Sequence, residues 1–581
     1  MSRDATNNCY IYLLAEYLAG DSRHLAHDLQ SKRPPVSHAS PSTVPNLLPI
    51  PGLSIMVAAF AVVVPFFFLG NPSGHDFEFH LFSWMEVVQQ WKEGIAYPRW
   101  AVLAHWGYGE ARFLFYPPAS WNLGAALGVL LPWKMVSGAY IWIALSASGF
   151  SMFVLAQRWL GRNDAVFAAA LYAANPYHLV IVYWRSALAE LLAGCLLPLL
   201  LLLILRAEEE ERHMVLPLSL VVAAAWLTNA PSAVMVNYSL ALLVVTLALV
   251  RRNAWVLLYG AAAVFLGAAL AGFYLVPAAY EEKWVNLGEV LAPGVRPLDN
   301  FLFTNINDGD HNRFNLLVSI IGAAEMLVLG GAAFLSRAWR RERPLLWWTL
   351  GAWAGAAILL MCPFTFIFWE HLPKLRFVQL PWRWLLCLNV AFALLVTVAC
   401  RRWATRLLLY GVMVGLVWTV WHRVQQPWWD TAADIEEIHD AVADGGGYEG
   451  TDEYVPAGVD PYELNKVADP VTPISGAAAR IQIVDWSAQS KTFSAEVLRP
   501  EKLRLRLFNY PAWEVEVNGR KVVTEAQDVT GEIVVPVQAG ANMVRITFVR
   551  TRDRLVGDII SLLALVVVMV WAIQQRRSPS A

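Results

Sequence analysis

Residues 52–69 of the chain read GLSIMVAAFAVVVPFFFL, an apolar run that contains no charged side chain. A helix needs about 20 predominantly apolar residues to cross the hydrocarbon core of a bilayer. This run therefore predicts a membrane-spanning helix. The whole chain fits the same environment, because its 581 residues are 57% hydrophobic and only 15% charged, whereas about 25% of residues in an ordinary soluble protein are charged.

Comparable runs recur along the chain, and together they predict an α-helical polytopic membrane bundle with about 12 spans. The runs cover residues 52–69, 136–157, 164–183, 187–205, 214–229, 232–250, 254–276, 315–335, 345–362, 384–400, 407–421 and 555–573. The last run stands apart from the others, since a long polar segment precedes it. The sequence therefore predicts a final transmembrane helix behind a separate domain.

Basic residues test this count, because short cytoplasmic connections are enriched in Lys and Arg. With a cytoplasmic N-terminus, the connections that face inward carry Arg158, Arg162, Arg206, Arg212, Arg251, Arg252, Arg337, Arg340, Arg341, Arg343, Arg401, Arg402, Arg576 and Arg577. A further apolar stretch at 121–131 follows Pro117–Pro118 and is too short to cross upright. A full crossing there would move the later basic groups outside, so we predict an interfacial or re-entrant segment.

The same orientation places the larger segments 70–120, 277–314, 363–383 and 424–554 on the extracytoplasmic side. The last of them shows period-two alternation with β-branched and aromatic residues. The alternating stretches are 480–486, 492–498, 503–509, 513–517, 532–537 and 543–549. Asn518–Gly519 is typical of a type I′ hairpin turn, and Ala539–Gly540 marks another turn. A small β-sandwich is predicted, preceded by a less regular acidic linker around 430–460.

The predicted organisation has four parts. They are a disordered cytoplasmic tail (1–50), a transmembrane module (51–423) with its first outer loop at 70–120, an extracytoplasmic linker and β-sandwich (424–554), and a last transmembrane helix with a cytoplasmic tail (555–581). The first fifty residues lack the basic and apolar regions of a cleavable signal. They are interpreted as a tail or as a start assigned too far upstream. The net charge of −2 gives no indication of nucleic-acid binding.

Titratable residues concentrate directly after the first span, where residues 74–80 read GHDFEFH. If a helix begins here, Asp76 and His80 share a face; if the segment is extended, Asp76, Glu78 and His80 share one. Both arrangements bring a carboxylate and an imidazole together, which suits a general base or a divalent-ion ligand. The alternative is an ordinary helix start whose acidic residues complement the helix dipole.

Further polar residues cluster at the outer ends of the spans. A charge near the centre of a span costs about 2.5–3.5 kcal/mol on insertion scales, so such groups pair or line a cavity. Arg185 and Glu190 either pair with each other or line a wet cavity that opens outward. The predicted substrate-binding residues are Arg99, Arg112, His178, Arg185, Glu190, Arg376 and Arg383. A transporter is expected to place such groups near the midplane, in matching halves, so the distribution favours an enzyme.

With these features the chain resembles the GT-C superfamily of membrane glycosyltransferases, which use polyprenyl-phosphate-linked sugars. The resemblance rests on an acidic residue soon after the first span and on a first loop of interfacial helices that ends in Tyr-Pro-Pro at 116–118. The dozen spans and the soluble C-terminal domain complete it. The resemblance therefore implies a GT-C-like fold for the transmembrane module.

More narrowly, the chain resembles a bacterial YfhO-like group that often bears the label "membrane protein, 6-pyruvoyl-tetrahydropterin synthase-related". The resemblance runs from about residue 52 to the end. The pieces that carry it are GHDFEFH (74–80), YPRW (97–100), FYPP (115–118), NPYH (175–178), RSALAE (185–190), LPWRW (380–384) and YPAW (510–513). The pterin label does not describe an activity here, because the soluble synthase binds zinc through histidines that include a His-x-His pair, which this chain lacks.

The superfamily resemblance implies roles for two residues of the first loop. Asp76 matches the acid that acts as base towards the acceptor hydroxyl or holds a metal, and Glu78 matches its companion in an Asp-x-Glu pattern. Metal dependence varies across the superfamily, so a divalent cation, Mg²⁺ or Mn²⁺, is an open expectation with Asp76 and Glu78 as ligands. The implied reaction is an inverting displacement at the anomeric carbon, in which the acceptor attacks and a lipid phosphate leaves.

Contacts to the donor's phosphate are expected from Arg185, Arg376 and Arg383, since guanidinium forks suit phosphate oxygens. These three are placed by chemistry and topology, not by a superfamily motif. The expected function is transfer of a sugar from a polyprenyl-phosphate donor to a cell-envelope glycan or lipid acceptor. The expected place is the extracytoplasmic face of the bacterial inner (plasma) membrane, with the C-terminal domain in the periplasm.

Two other functions remain as alternatives, namely a non-catalytic GT-C-fold envelope assembly protein and a lipid or polysaccharide transporter. In the β-domain, Tyr510 and Trp513 are candidates either for carbohydrate contact or for the sandwich core, and the core is the favoured interpretation.

Overall fold

The computed structural model describes residues 50–206, 214–424 and 428–577. Helices dominate up to residue 424, strands dominate from residue 471 to residue 548, and one helix follows. The predicted tail, 1–50, lies outside the described residues except for Ile50. The described chain therefore has the predicted sequence of a helical part, a β-part and a final helix.

The helices of the described ranges are numbered here in chain order. They are α1 (Ile50–Val63), α2 (Phe77–Lys92), α3 (Pro118–Leu130), α4 (Trp133–Ala156), α5 (Arg162–Ala173), α6 (Pro176–Val180), α7 (Leu188–Ala193), α8 (Leu196–Arg206), α9 (Val215–Thr228), α10 (Ala230–Arg251), α11 (Trp255–Leu270), α12 (Gly272–Glu281), α13 (Gly309–Leu335), α14 (Pro344–Leu360), α15 (Phe366–His371), α16 (Leu385–Ala399), α17 (Trp403–Val424), α18 (Ala432–Ala443) and α19 (Arg552–Arg577). Single turns connect several of them.

Within the described ranges, nine helical segments are long and apolar enough to cross a membrane, or up to eleven if each of two bent helix pairs forms one span. The bent pairs are α11 with α12, at 78°, and α14 with α15, at 93°. The remaining predicted span, 214–229, coincides with α9, an apolar helix of 14 residues. The chain is thus a multi-pass membrane protein, while twelve crossings and their orientation stay predictions.

Helix α3 occupies the stretch that we predicted not to cross. It has 13 residues and begins with Pro118 in its first turn, a position that tolerates proline because the missing N–H has no partner there anyway. The helix packs against α2 and α4. Gly124 permits this contact, because a Cβ atom at that position would overlap the Trp84 indole.

The chain reverses between α6 and α7 through an irregular segment. Asn175 caps α6 by accepting a hydrogen bond from the His178 N–H, which together with the proline at 176 explains why a helix starts here. A π-helical turn, Ile181–Arg185, follows α6 and ends at Ser186 in a left-handed conformation with φ of 50°. Such π-turns occur frequently at functional sites. This one brings Arg185 and Glu190 together.

The β-domain is a sandwich of two antiparallel sheets. Two short strands, β1 (Asn71–Pro72) and β2 (Trp429–Asp430), precede this domain in the chain. The strands of the domain are β3 (Val471–Pro473), β4 (Ala479–Trp486), β5 (Ser490–Val497), β6 (Glu501–Phe508), β7 (Trp513–Val517), β8 (Arg520–Val522), β9 (Glu525–Ala526), β10 (Glu532–Val537) and β11 (Gly540–Phe548). One sheet has the order β4-β5-β11-β7-β8 and the other β3-β6-β10-β9. The hairpin prediction is confirmed, because Asn518 and Gly519 have φ angles of 52° and 76°.

The linker before the sandwich is more regular than predicted. It contains α18, whose start is stabilised by a capping box between Thr431 and Asp434. Ile435 and Val442 of this helix pack against Phe77 and neighbouring apolar residues of α2. The less regular linker predicted from the sequence thus includes one regular helix, because an apolar stripe at helical spacing stabilises a helix even within an acidic segment.

A two-stranded ladder fixes the linker to the first outer loop. Strand β1 (Asn71–Pro72) pairs antiparallel with β2 (Trp429–Asp430). The Ser73 hydroxyl also donates a hydrogen bond to the Asp430 carboxylate, at 2.7 Å. The segment that leads into residues 74–80 is therefore fixed to the linker by strand pairing and by a side-chain hydrogen bond.

The β-domain is docked on the first outer loop. Trp100 of that loop is buried in the sandwich core, where its ring lies 5.3 Å from Tyr510 and 5.9 Å from Trp513 (centroid distances). The Tyr510 hydroxyl donates to Glu281 at 2.5 Å, and Arg554 pairs with the same carboxylate at 2.8 Å. Tyr510 and Trp513 thus lie in the core, as favoured from the sequence, and the loop has a rigid support.

Candidate functional site

The loop that carries Asp76 is locked against the π-helical turn. The Gly74 N–H donates to the Ser186 hydroxyl at 3.0 Å, and the Asp76 N–H donates to the Arg185 carbonyl at 2.9 Å. Only glycine fits at 74, because a Cβ atom there would overlap the Trp184 carbonyl group. Asp76 then stands at the N-cap position of α2 and makes no capping hydrogen bond through its side chain.

Four side chains behind this loop form what we call the outer arginine cluster, made of Tyr177, Arg185, Glu190 and Arg383. The Glu190 carboxylate accepts a hydrogen bond from Arg185 at 2.5 Å and one from Arg383 at 3.1 Å. The Tyr177 hydroxyl donates to the same carboxylate at 2.6 Å. The pairing of Arg185 with Glu190, one of the two alternatives from the sequence, is therefore present. A second arginine, Arg383, lies 193 positions after Glu190 in the chain and binds the same carboxylate.

The outer arginine cluster is almost completely buried and carries a surplus of positive charge. Arg185, Glu190 and Arg383 are 3%, 1% and 7% exposed. Two guanidinium groups share one carboxylate, which leaves one positive charge to be balanced. Asp76 is the acidic group within electrostatic range of both arginines, and its carboxylate makes no hydrogen bond to any residue in the described ranges.

His80 lies one turn after Asp76 on the same face of α2, as the helical alternative predicts. Its Nε2 atom accepts a hydrogen bond from the Leu188 N–H at 3.2 Å, at the start of α7. Burial lowers the pKa of His80 to about 4, and Arg112 adds to that effect while Asp76 opposes it. The imidazole is therefore neutral at neutral pH. Through the Leu188 N–H it holds the start of α7 in place.

The depressed pKa of His80 predicts a pH effect on stability. A histidine with pKa 6.5 in the unfolded chain and about 4 in the folded chain binds its proton more readily when unfolded. Its contribution to stability is complete above pH 6.5 and is lost as the pH falls from 6.5 towards 4. Thermal unfolding in nanodiscs between pH 7.5 and 4.5 measures this loss.

The matched variants for this measurement are His80→Gln and His439→Gln. We expect a flatter pH dependence for His80→Gln and an unchanged one for His439→Gln, because His439 is partly exposed on α18, beside Trp133 and the exposed Asp440. Equal slopes for the wild type and His80→Gln would contradict the assignment of a neutral, buried imidazole.

Glu78 does not join Asp76. It lies at the surface, near Asp430 and Glu449, because residues two apart on a helix do not face each other. The described residues include no group of three or more His, Cys, Asp or Glu side chains that could hold a metal ion. Asp76 and Glu78, the two carboxylates expected as metal ligands, thus lie in different surroundings and do not converge on one site.

Arg112 belongs to a separate buried group, which we call the first-loop network. Its guanidinium pairs with Glu110 at 2.5 Å and donates to the Ser83 hydroxyl at 3.0 Å. Burial opposes ionisation of Glu110, but Arg112 and His105 outweigh it and lower the pKa of Glu110 to about 2. The charge of Arg112 is therefore already balanced within the fold.

The first-loop network also includes Glu86 and Tyr448, which the sequence did not single out. Glu86 accepts hydrogen bonds from the Val102 and Leu103 N–H groups at 2.6 and 2.9 Å. It also accepts one from the Tyr448 hydroxyl at 2.7 Å. These contacts connect α2 to the first outer loop and to the segment after α18. They therefore hold α2, the helix that Asp76 precedes, in position.

The other predicted substrate-binding residues lie apart from the outer arginine cluster. Arg99 stacks on the Tyr97 ring at 4.2 Å and interacts electrostatically with Glu281 and Arg554. His178 is buried in α6 with Nδ1 at 3.1 Å from the Ala173 carbonyl oxygen. Arg376 is exposed on a short turn, 5.2 Å from the Phe377 ring centre. The structure brings none of these three into contact with Asp76.

Glu325 is a buried acid of α13 that the sequence analysis missed. Its carboxylate accepts a hydrogen bond from the Tyr177 N–H and another from the Asn389 side chain, each at 3.2 Å. A charged residue inside an apolar span is a recognised sign of function, so the signal was present in the sequence. Tyr177 therefore connects this carboxylate to Glu190 of the outer arginine cluster.

The chain matches no protein-family model and no curated protein sequence. Among solved structures it is similar to ArnT from Cupriavidus metallidurans, determined bound to undecaprenyl phosphate, with 14% sequence identity and a TM-score of 0.37. The alignment covers 62% of this chain and 63% of that chain, which is less than two thirds of the neighbour's length. No residue role is transferred from this likeness.

Proposed function

We propose that the chain is a membrane glycosyltransferase that takes a sugar from a polyprenyl-phosphate donor and passes it to a cell-envelope acceptor at the extracytoplasmic face. One observation carries the proposal. An acid without a hydrogen-bond partner in the described ranges, Asp76, stands beside two buried arginines that share a single carboxylate. This arrangement combines a carboxylate that can accept a proton with two positioned guanidinium groups that can bind a phosphate, which is the combination that transfer from a phosphate-linked sugar needs.

The arginines suit the phosphate of the donor. Hydrogen bonds to described residues engage one nitrogen of Arg185 and two nitrogens of Arg383, so guanidinium donors remain for phosphate oxygens. Charge-assisted hydrogen bonds of this kind are about twice as strong as neutral ones. Glu190 and Tyr177 hold the two guanidinium groups in place, so their orientation does not have to be acquired when the donor binds.

In the proposed reaction the acceptor hydroxyl gives its proton to the Asp76 carboxylate. The freed oxygen attacks the anomeric carbon of the sugar, and the bond between that carbon and the phosphate oxygen breaks. The phosphate leaves with the bonding electron pair, and Arg185 and Arg383 stabilise its added negative charge. His80 takes no proton in this scheme, since burial keeps its imidazole neutral.

Retention of a polyprenyl phosphate by the purified chain tests the donor half of the proposal. Native mass spectrometry of the full chain released from nanodiscs that contain a polyprenyl phosphate is expected to show a bound lipid. Arg383→Gln removes one of the two guanidinium groups, and we expect its occupancy to fall by about tenfold, since a hydrogen bond to a charged group contributes about 1.5–3 kcal/mol.

The matched control is Arg545→Gln, which removes an exposed arginine from β11 and is expected to retain the lipid. Thermal unfolding of each variant shows whether it is folded. Equal retention by the folded Arg383→Gln variant and the wild type would contradict a phosphate site at the outer arginine cluster.

A further inference from the structure

A cleft of about 570 Å³ opens between the start of α13, the end of α17 and the loop that precedes α2. His75 lines it from the loop, Asp308 and Phe314 from the α13 side, and Trp428 from the start of the linker. The Trp428 side chain is 55% exposed. The cleft is thus open at the surface of the protein, with an exposed tryptophan in its lining.

The cleft adjoins the proposed catalytic site through a shared aromatic wall. His75 lines the cleft, and the next residue, Asp76, stands at the outer arginine cluster. The Phe314 ring lies 5.1 Å from the His75 ring on the cleft side and 5.7 Å from the Trp382 ring behind it. Trp382 in turn lies under the Arg185 guanidinium, at 4.9 Å. Along this path two rings, Phe314 and Trp382, separate a ligand in the cleft from the Arg185 guanidinium, while His75 connects the cleft directly to Asp76 along the chain.

The formal charges that line the cleft cancel. Asp308 and Asp310 contribute two negative charges, and Arg313 and Arg423 contribute two positive ones. Asp310 and Arg313 pair with each other at 3.2 Å, and Asp308 caps α13 by accepting the Asp310 N–H. An anionic ligand needs a surplus of positive charge and a cation needs the reverse. The lining offers neither, which favours an uncharged polar ligand.

The chemistry of the lining fits a sugar. An exposed indole such as Trp428 presents an apolar face on which the C–H groups of a sugar ring can stack, while carboxylates accept and guanidinium groups donate hydrogen bonds to hydroxyls. His75, His311 and His422 add imidazoles that do either. We propose that this cleft binds an uncharged, polyhydroxylated acceptor glycan. The proposal rests on the proposed function, because it supplies the second substrate of that reaction.

Saturation-transfer NMR on the full chain in nanodiscs tests the cleft without any turnover. The probes are the neutral disaccharides maltose, lactose and N,N′-diacetylchitobiose, and the acidic comparison is digalacturonic acid. We expect a saturation-transfer signal from at least one neutral probe and no such signal from the acidic one. Trp428→Ala is expected to raise the Kd of that neutral probe by about tenfold, the range that loss of an aromatic contact gives.

Two further variants keep the test specific. Trp255→Ala removes a tryptophan that is 64% exposed, begins α11 and does not line the cleft, and this variant is expected to bind the probe as the wild type does. Asp310→Asn changes an exposed carboxylate of the lining and is expected to weaken binding several-fold without unfolding the chain. Agreement of both results supports the cleft as the saccharide site.

The proposal is overturned if no neutral probe shows a saturation-transfer signal, if the acidic probe also shows one, or if Trp428→Ala binds the neutral probe with wild-type affinity. The outcome is separate from that of the proposed function. Suppose that a neutral sugar binds in a way that depends on Trp428, but that the Asp76→Asn variant retains full activity in cells. The cleft would then remain a carbohydrate site, and the proposed transferase mechanism would be refuted.

Discussion

Replacing Asp76 with asparagine is expected to abolish sugar transfer while leaving the chain folded and inserted in the membrane. A positioned general base contributes about 10²–10⁴-fold to a rate, and asparagine cannot accept the proton of the acceptor hydroxyl. The change should not disturb the fold, because the Asp76 side chain makes no capping hydrogen bond. Incorporation of sugar into envelope glycans by cells that carry the variant measures the loss.

The matched control for Asp76→Asn is Asp440→Asn. Asp440 lies on α18 with 72% of its side chain exposed, so the same chemical change is made at a surface position. We expect activity close to that of the wild type. Activity in the Asp76→Asn variant within a factor of a few of the Asp440→Asn variant would rule out Asp76 as the proton acceptor.

Replacing Glu190 with alanine is expected to cost the largest amount of stability of any single change considered. Glu190 is the carboxylate that Arg185 and Arg383 share, at 2.5 and 3.1 Å, and all three are buried. Removal of one partner from a buried ion pair typically costs about 3–5 kcal/mol, because an uncompensated charge stays buried. Here two guanidinium groups lose their shared partner, so we expect a value at the upper end of that range.

Chemical unfolding of the purified chain measures this cost, with Glu525→Gln as the control. Glu525 pairs with Lys502 at 2.6 Å on the surface of the β-domain, with both side chains more than half exposed. An exposed pair contributes only about 0–1 kcal/mol. If Glu190→Ala proves no more destabilising than Glu525→Gln, the outer arginine cluster is not the buried unit that its geometry indicates.

Local patterns in the sequence predicted much of the fold. The alternating stretches of the β-domain became strands within a few residues of the predicted bounds, and Asn518–Gly519 formed the predicted turn, because both signals depend on neighbouring residues alone. The apolar runs likewise coincide with helices. Helix α18 was not predicted because the segment is acidic, although Ile435, Ile438 and Val442 recur in it at helical spacing.

The candidate site was only partly predictable, since its members meet through long-range packing. Arg185 and Glu190 are five residues apart, and their pairing was one of two alternatives, whereas Arg383 joins them from the short turn that precedes α16. Arg112 was interpreted as a substrate contact because its partner Glu110, two residues away, gave no sign of burial in the sequence. Tyr177 meets Glu190 and Glu325 through contacts between different helices, which no local pattern reveals, although a carboxylate inside an apolar span already marked Glu325 as unusual.

The central claim is that the chain transfers a sugar from a lipid-linked donor at the site formed by Asp76 and the outer arginine cluster. The most direct measurement is mass spectrometry of polyprenyl-phosphate sugars in a deletion strain complemented with the wild-type chain or with Asp76→Asn. We predict that a polyprenyl-phosphate sugar accumulates in the deletion strain and in the strain with Asp76→Asn, and that the wild-type chain restores the normal level. Identical lipid-linked sugar profiles in all of these strains would contradict the account.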